Sequence, residues 1–373
     1  MTMKTILQIK KIFLILVFGI FTTSTFAQFD DIANFMQGGT NDAQKLFKAY
    51  LTPYANILGT DLNGGWYNSA KVHGKLGFDI TLTTSMAFAP SADKEFDISE
   101  LGLESLTLAT GESNMTPTAA GKRDDGSRLE YNATIPSVGT YKLADFQMPK
   151  GTGIGAFPLP MIKAGIGLVY GTEIMGRYVP TVENSGASIG LWGIGLRHDL
   201  KQWIPFLKAL PIWNLSVMGG YTKLSTNADI SFQPDIYGND VTVVTTQSFD
   251  DQKLDLTFTS YTANLVASVN LPVICVYAGV GFSSTSTDLQ LKGNYPILAV
   301  ETNPTSPNFA HKVIRDSEVI TDPIDMSIDN VEGTTIPRYN IGARLKFAVV
   351  TFHVDYTYAS YSMVTAGIGI SFR

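Results

Sequence analysis

Beyond Lys75 the chain alternates between apolar and polar or small residues with a period of two. Over Asn340–Val349, Ile341, Ala343, Leu345, Phe347 and Val349 share one face, and Gly342, Arg344 and Lys346 share the other. Over 351–358, Phe352, Val354, Tyr356 and Tyr358 oppose Thr351, His353, Asp355 and Thr357. Over 364–372, Val364, Ala366, Ile368, Ile370 and Phe372 oppose Thr365, Gly367, Gly369 and Ser371. Such alternation predicts strands of a sheet with one apolar and one polar face. Comparable segments recur near 75–89, 98–110, 162–179, 186–199, 211–226, 252–269, 272–287 and 334–347. Weaker ones lie at 126–135, 229–237, 241–249 and 288–300. Leu265–Phe282 is uncharged and imitates a membrane helix, but Asn270-Leu271-Pro272 is a turn signal and the surrounding valines favour strands. Two strands and a tight turn are expected there.

The first 73 residues follow other rules. A basic start (Lys4, Lys10, Lys11), an apolar run over Ile12–Phe21 and a small-residue ending at Ala27 read as a secretory leader over 1–27, cleaved before Gln28. Thr40 or Asn41 can then cap a helix in which Leu46, Phe47, Tyr50, Leu51, Tyr54, Ile57 and Leu58 recur at three- and four-residue spacing. The prediction is a helix over 41–58, kinked at Pro53 and ended by Gly59 and Asn63-Gly64-Gly65. Residues 28–73 are too few to hold a core of their own and read as a plug.

Composition narrows the classes. Of 373 residues 45% are apolar, 16% charged and 34 are glycine, with a net charge of −6. That excludes intrinsic disorder, which needs low hydrophobicity and high charge. A net negative chain without a Lys/Arg cluster is no nucleic-acid partner, and repeated apolar runs of about 20 residues, as in helical membrane bundles, are missing. Cys275 is the single cysteine, so an exported chain gains nothing from internal disulfides.

Gly165-Ile166-Gly167, Gly193-Ile194-Gly195, Gly279-Val280-Gly281 and Gly367-Ile368-Gly369 each set two glycines on one strand face. Two readings stay open: the glycines leave inner-face room for a packed segment or passage, or they let curved strands bend. Lys201–Leu210, with Trp203, is either a barrel rim at a membrane–water interface or a turn packed on the wall. Residues 301–333, with Asp316, Glu318, Asp322, Asp325, Asp329 and Glu332, read as a long exposed loop. They lack calcium-loop spacing, and no metal or cofactor is expected.

Export, the two-residue period and the low charge point to an all-β protein, a transmembrane antiparallel up-and-down β-barrel. Taking 74–373 as barrel, 12–14 strands fit, with 14 favoured at about 21 residues per strand and connection. The chain ends on an amphipathic strand with Phe372 penultimate, which resembles the signal read by outer-membrane assembly machinery. The expected location is the bacterial outer membrane, among bilayer lipid and lipopolysaccharide.

The amphipathic segment 41–58, the passage Leu62-Asn-Gly-Gly-Trp-Tyr-Asn-Ser-Ala70 and the run Phe157-Pro-Leu-Pro-Met-Ile-Lys-Ala-Gly-Ile-Gly-Leu168 together resemble the FadL-type superfamily of outer-membrane barrels. Leu196-Arg-His-Asp-Leu-Lys-Gln-Trp-Ile-Pro205 and Gly220-Tyr-Thr-Lys-Leu224 are similar to an uncharacterised family of such barrels. The resemblance implies fourteen strands with a plug or hatch in the lumen. It also implies one of two roles: a channel or binder for hydrophobic small molecules, or an accessory subunit of an outer-membrane secretion or assembly complex.

Under the first role Phe47, Tyr50, Leu51 and Tyr54 are gate or ligand candidates, with Trp66 and Tyr67 at the hatch; the alternative is that these residues only pack the plug. A barrel hydrolase is the third reading. His73, His198, His311 and His353 are scattered, and none sits in a His-Glu-x-x-His pattern. His353 and Asp355 share a face, but a lumenal polar network explains them better than catalysis, so no enzyme is expected. In that phase Arg344, Lys346, His353 and Asp355 all face the lumen.

Overall fold

The computed structural model describes residues 32–135, 139–184, 186–234, 241–303, 305–307, 309–328 and 335–372. The leader read over 1–27 lies outside the described residues. Ten strands form the wall: β1 (Phe78–Ala87), β2 (Leu159–Gly167), β3 (Thr172–Asn184), β4 (Ala187–Asp199), β5 (Trp213–Asp229), β6 (Lys253–Asn270), β7 (Ile274–Lys292), β8 (Ile336–Phe347), β9 (Val350–Tyr358) and β10 (Met363–Phe372). Each pairs antiparallel with its neighbours in this order. β1 pairs with β10 from Phe78↔Phe372 to Ala87↔Met363, which closes the barrel.

The count of ten corrects the expected 12–14. Alternation alone does not separate wall strands from hairpins beside the wall. The segments near 98–110 and 126–135 alternate because they form short strands, Leu106–Leu108 and Arg128–Ile135, within the long connection 88–158. Segment 162–179 divides into β2 and β3 about a turn at 168–171. The wall strands themselves are also long: β5, β6 and β7 have 17, 18 and 19 residues, against about 9–11 for a bilayer crossing. Residues 301–333 are no simple loop either, since Ile314 and Ile324 are buried on short strands.

The long strands change polarity partway. In β6, Val269, Leu265 and Tyr261 point outward while Ser268, Asn264 and Ser260 point inward and are buried. Past Tyr261 the sense reverses: Thr259, Thr257 and Asp255 point out, and Phe258, Leu256 and Leu254 point in. β7 repeats this, with Val276, Val280 and Phe282 outward, then Ser284, Ser286 and Asp288 outward and Leu289 and Leu291 inward. A ring of outward aromatics marks the reversal, with Trp192 5.3 Å from Tyr221 and Tyr221 5.2 Å from Tyr261. From Val269 to Tyr261 a strand tilted by about 40° climbs roughly 20 Å, close to the apolar belt of about 25 Å of outer-membrane barrels, which aromatic girdles flank. Above the ring the barrel continues as a cup with an apolar interior and a polar exterior.

The connections are equally asymmetric. One end carries the turns 168–171, 271–273 and 348–349 and the connection 200–212; the long connections 88–158, 230–252 and 293–335 lie at the other. Trp203 sits in 200–212, 69% exposed, and its indole N–H donates to His198 Nε2 at 3.0 Å.

Inside runs α1 (Gly39–Asn63), led by a 3-10 turn over Asn34–Gly38. It is longer than the predicted 41–58 and passes through Pro53. Gly59 does not end it: a Cβ there would meet the Thr285 side chain at 2.7 Å, so this glycine lets the helix lie against β7. Asn41 does not cap it; its side chain bonds Glu104. Asn41 first and then Lys45, both beside the exposed Glu104, hold that carboxyl below the usual carboxylate range. The buried Asp42 accepts the backbone N–H groups of Glu104, Ser105 and Leu106 at 2.7, 2.8 and 2.8 Å. Three bonds to a carboxylate exceed any single cap, so Asp42→Ala is expected to cost about 3 kcal/mol. Proteolysis within 88–158, read by limited trypsin digestion, should accelerate accordingly.

Candidate functional site: a plugged lumen and an apolar cavity

Where α1 passes the cup, its Leu51, Tyr54, Ala55 and Leu58 face Phe157, Leu159, Leu224, Leu254, Leu256 and Phe258 across a cavity of about 130 Å³. Its walls are mostly apolar, with Thr226, Asn227 and Thr287 as the polar residues of the lining. A dry cavity of about 150 Å³ can hold a benzene ring, so this one fits a monoaromatic or a short alkyl group. The Tyr54 hydroxyl is turned away, sharing a hydrogen bond with Thr152 and donating to the Ile154 carbonyl at 3.3 Å. Burial pushes its pKa up to about 12, with Thr152 opposing the rise, so it stays neutral.

Leu51 and Tyr54 thus line the cavity, and Phe47 and Tyr50 do not. Phe35 meets Phe47 edge-on at 5.1 Å, and the Tyr50 hydroxyl donates to the Lys150 carbonyl at 2.7 Å. Tyr50 ties α1 to the long connection, and Phe47 packs on the 3-10 turn that leads the helix. Trp66 and Tyr67 lie deeper, below the helix. Arg177 stacks 3.6 Å over the indole of Trp66, while Cβ atoms at Gly195 and Gly220 would meet that indole at 2.7 and 2.6 Å. Tyr67 fills the space left at Gly279 and meets Tyr277 edge-on at 6.1 Å. Of the two readings of the paired glycines, room for a packed segment describes Gly167, Gly195 and Gly279.

The chain inside the lumen is gripped by four wall arginines, of which sequence reasoning singled out only Arg344. The helix end leaves C=O groups without intrahelical partners. Arg177 donates to the carbonyls of Leu62 and Gly64, and Arg338 to that of Asn63. Lower down Arg197 donates to the Ser69 carbonyl at 2.7 Å and Arg344 to Asn68 Oδ1 at 3.0 Å. All four arginines are buried.

Lys346 and Asp355 point inward as well. Lys346 donates to the Ser371 carbonyl, and Asp355 accepts from Tyr277 and Asn340 at 2.9 and 2.7 Å. His353 is buried, and neither ring nitrogen has a hydrogen-bond partner among the described residues. It makes no pair with Asp355.

Near the turn end His73 Nδ1 is 2.9 Å from Glu173, which accepts from Arg197 at 2.6 Å, and Lys163 lies 3.0 Å from Asp79. Donor atoms of His73, Asp79 and Glu173 fall within 4.8 Å of one another. Lys163 and Arg197 already balance both carboxylates, so a divalent ion would leave buried positive charge in excess. The cluster fits an ion-pair knot that holds the chain as it leaves the lumen. Its sequence signal was a set of charges at inward phases between apolar neighbours, as at Lys163 between Ile162 and Ala164.

A closed antiparallel wall, an apolar belt below an aromatic ring and a helix in the lumen define the class: a ten-stranded β-barrel of the bacterial outer-membrane type. Residues 3–372 match a family of unknown function (DUF6588), and the chain belongs to that family. No curated protein matches it in sequence. Among solved structures it is similar to Ail, the attachment invasion locus protein of Yersinia pestis, at 8% identity, covering 80% of this chain and 98% of that one with a TM-score of 0.25. It is also similar to the outer membrane protease OmpT of Escherichia coli, at 10% identity over 83% and 100% of the two chains, TM-score 0.27. The translocator domain of the autotransporter NalP of Neisseria meningitidis follows, at 10% identity over 80% and 88%, TM-score 0.27. Likenesses of this size concern overall architecture and carry no residue-to-residue correspondence.

Proposed function

We propose that this protein is a bacterial outer-membrane barrel that holds an uncharged apolar small molecule between its plug helix and its wall. The observation that carries the reading is the carbon-lined cavity at Leu51, Tyr54, Ala55 and Leu58. Burying apolar ligand surface there is favourable at about 25 cal/mol per Å². The belt and the aromatic ring support a setting in bilayer lipid, with lipopolysaccharide facing the cup side. Of the FadL-type expectation, the plug and the apolar ligand are kept, on a ten-stranded wall. Lumenal charges serve to hold the plug, and no enzymatic role is assigned to them.

Fluorobenzene followed by fluorine NMR tests the cavity in the purified, detergent-solubilised protein. A saturable bound resonance is expected in wild type. It should vanish in Ala55→Leu, whose added carbons fill the space while leaving the fold intact. Absence of a bound resonance in wild type sinks the reading.

A further inference from the structure

The chain is threaded through the lumen of its own barrel. Phe35 packs on Phe146 of the long connection at 6.3 Å, and the Ala119 N–H donates to the Tyr50 carbonyl at 3.0 Å. The first half of α1 therefore belongs to the cup. Its last turn is held in the lumen by Arg177 and Arg338. The chain then descends past Trp66 and His73, and the Leu76 N–H donates to the Gly167 carbonyl at 2.8 Å, beside the 168–171 turn. Ile32 and Gly77 thus sit at opposite ends of the barrel, and β1 climbs back from Gly77. In outer-membrane barrels short turns face the periplasm and long connections face outward.

We infer that the first half of α1 is displayed on the cell exterior and that the chain runs inward through its own lumen to begin the wall. The inference rests on the membrane setting proposed above, and not on the cavity. Its physical content is an anchorage at both ends. Asp42 holds the outer end to residues 104–106, the ion-pair knot of His73, Glu173 and Arg197 holds the inner end, and Trp66 fills the bore between them.

Single cysteines in a Cys275→Ser background test this, because the native thiol is buried. Lys48, exposed on α1, and Tyr170, 82% exposed in a short turn, are the reporter positions. With a membrane-impermeant maleimide, Lys48→Cys should be labelled in intact cells. Tyr170→Cys should be labelled only after the outer membrane is permeabilised. The reverse pattern, labelling of both in intact cells, or protection of both until permeabilisation overturns the inference. Recovery of the chain outside the outer-membrane fraction overturns the membrane setting and the display with it. Fluorobenzene binding by the same variants reports on the cavity separately.

Discussion

Arg177→Met is expected to destabilise the folded barrel by about 4 kcal/mol and to loosen the plug. Two carbonyls, those of Leu62 and Gly64, lose a charged donor. Hydrogen bonds to charged groups contribute about 1.5–3 kcal/mol each, and an acceptor left buried and unpaired costs a comparable amount. Trp66 loses a cation over its ring at 3.6 Å, a contact of about 0.5–2 kcal/mol. Desolvation of the arginine offsets part of this, which keeps the expected figure near the lower end. Urea unfolding in lipid vesicles, followed by tryptophan fluorescence, reads the loss. Planar-bilayer recording reads the plug, with long-lived openings expected in the variant and a closed wild type. Arg177→Lys should fall between them, since one ammonium does not span both carbonyls in the geometry of a guanidinium. Unchanged stability in Arg177→Met would remove the arginine grip from this account.

Gly167→Ala is the second large effect. Its new methyl group would fall on the main-chain oxygens of Gly74 and His73. Neither can turn aside as a side chain could, because the strand and the exiting chain are tied by Leu76 N–H to Gly167 C=O and Gly167 N–H to Gly77 C=O, both at 2.8 Å. Either those bonds break or the wall opens locally, for an expected loss of about 3 kcal/mol. Gly176→Ala is the matched control, because its Cβ would meet nothing nearer than the Gly193 carbonyl at 4.0 Å. That change should stay within about 0.5 kcal/mol. Equal behaviour of the two variants would mean that close approach of backbone to backbone is not what Gly167 provides.

Much of the wall was legible in the sequence. The phase of β8, β9 and β10 follows residue by residue from alternation, because outward positions are apolar and inward positions polar or small. Paired glycines left two readings open, a packed segment or strand bending, and Trp66 and Tyr67 occupy the room at Gly195 and Gly279. Strand number was not legible, for two reasons. A hairpin such as 128–147 alternates as a wall strand does, and alternation also persists through the polarity reversal at Tyr261 that marks where the belt ends. The site was less accessible still. Leu51 and Tyr54 were named, but the cavity also needs Leu224, Leu254 and Phe258 from distant strands. The ion-pair knot joins residues 73, 79, 163, 173 and 197. Inward charges on single strands were visible, but which of them meet depends on strand register, as at Glu173 opposite Arg197, and on where the inner chain places His73.

The reversal of polarity along β5, β6 and β7 bears on how accurately this barrel must assemble. A strand that slips by one residue turns every side chain to the opposite face. In a barrel that ends with its lipid belt, such a slip is penalised once, by polar groups placed in hydrocarbon. Here the same slip in β6 would push Asn264 and Ser268 into the belt and, in the same movement, put Leu254, Leu256 and Phe258 into water and Asp255 into the cup. Exposing three such apolar side chains alone forfeits about 5–9 kcal/mol, in addition to the cost within the belt. In the proposed membrane setting two different solvents therefore proofread one strand, and misregistered closure is disfavoured from both ends of the molecule.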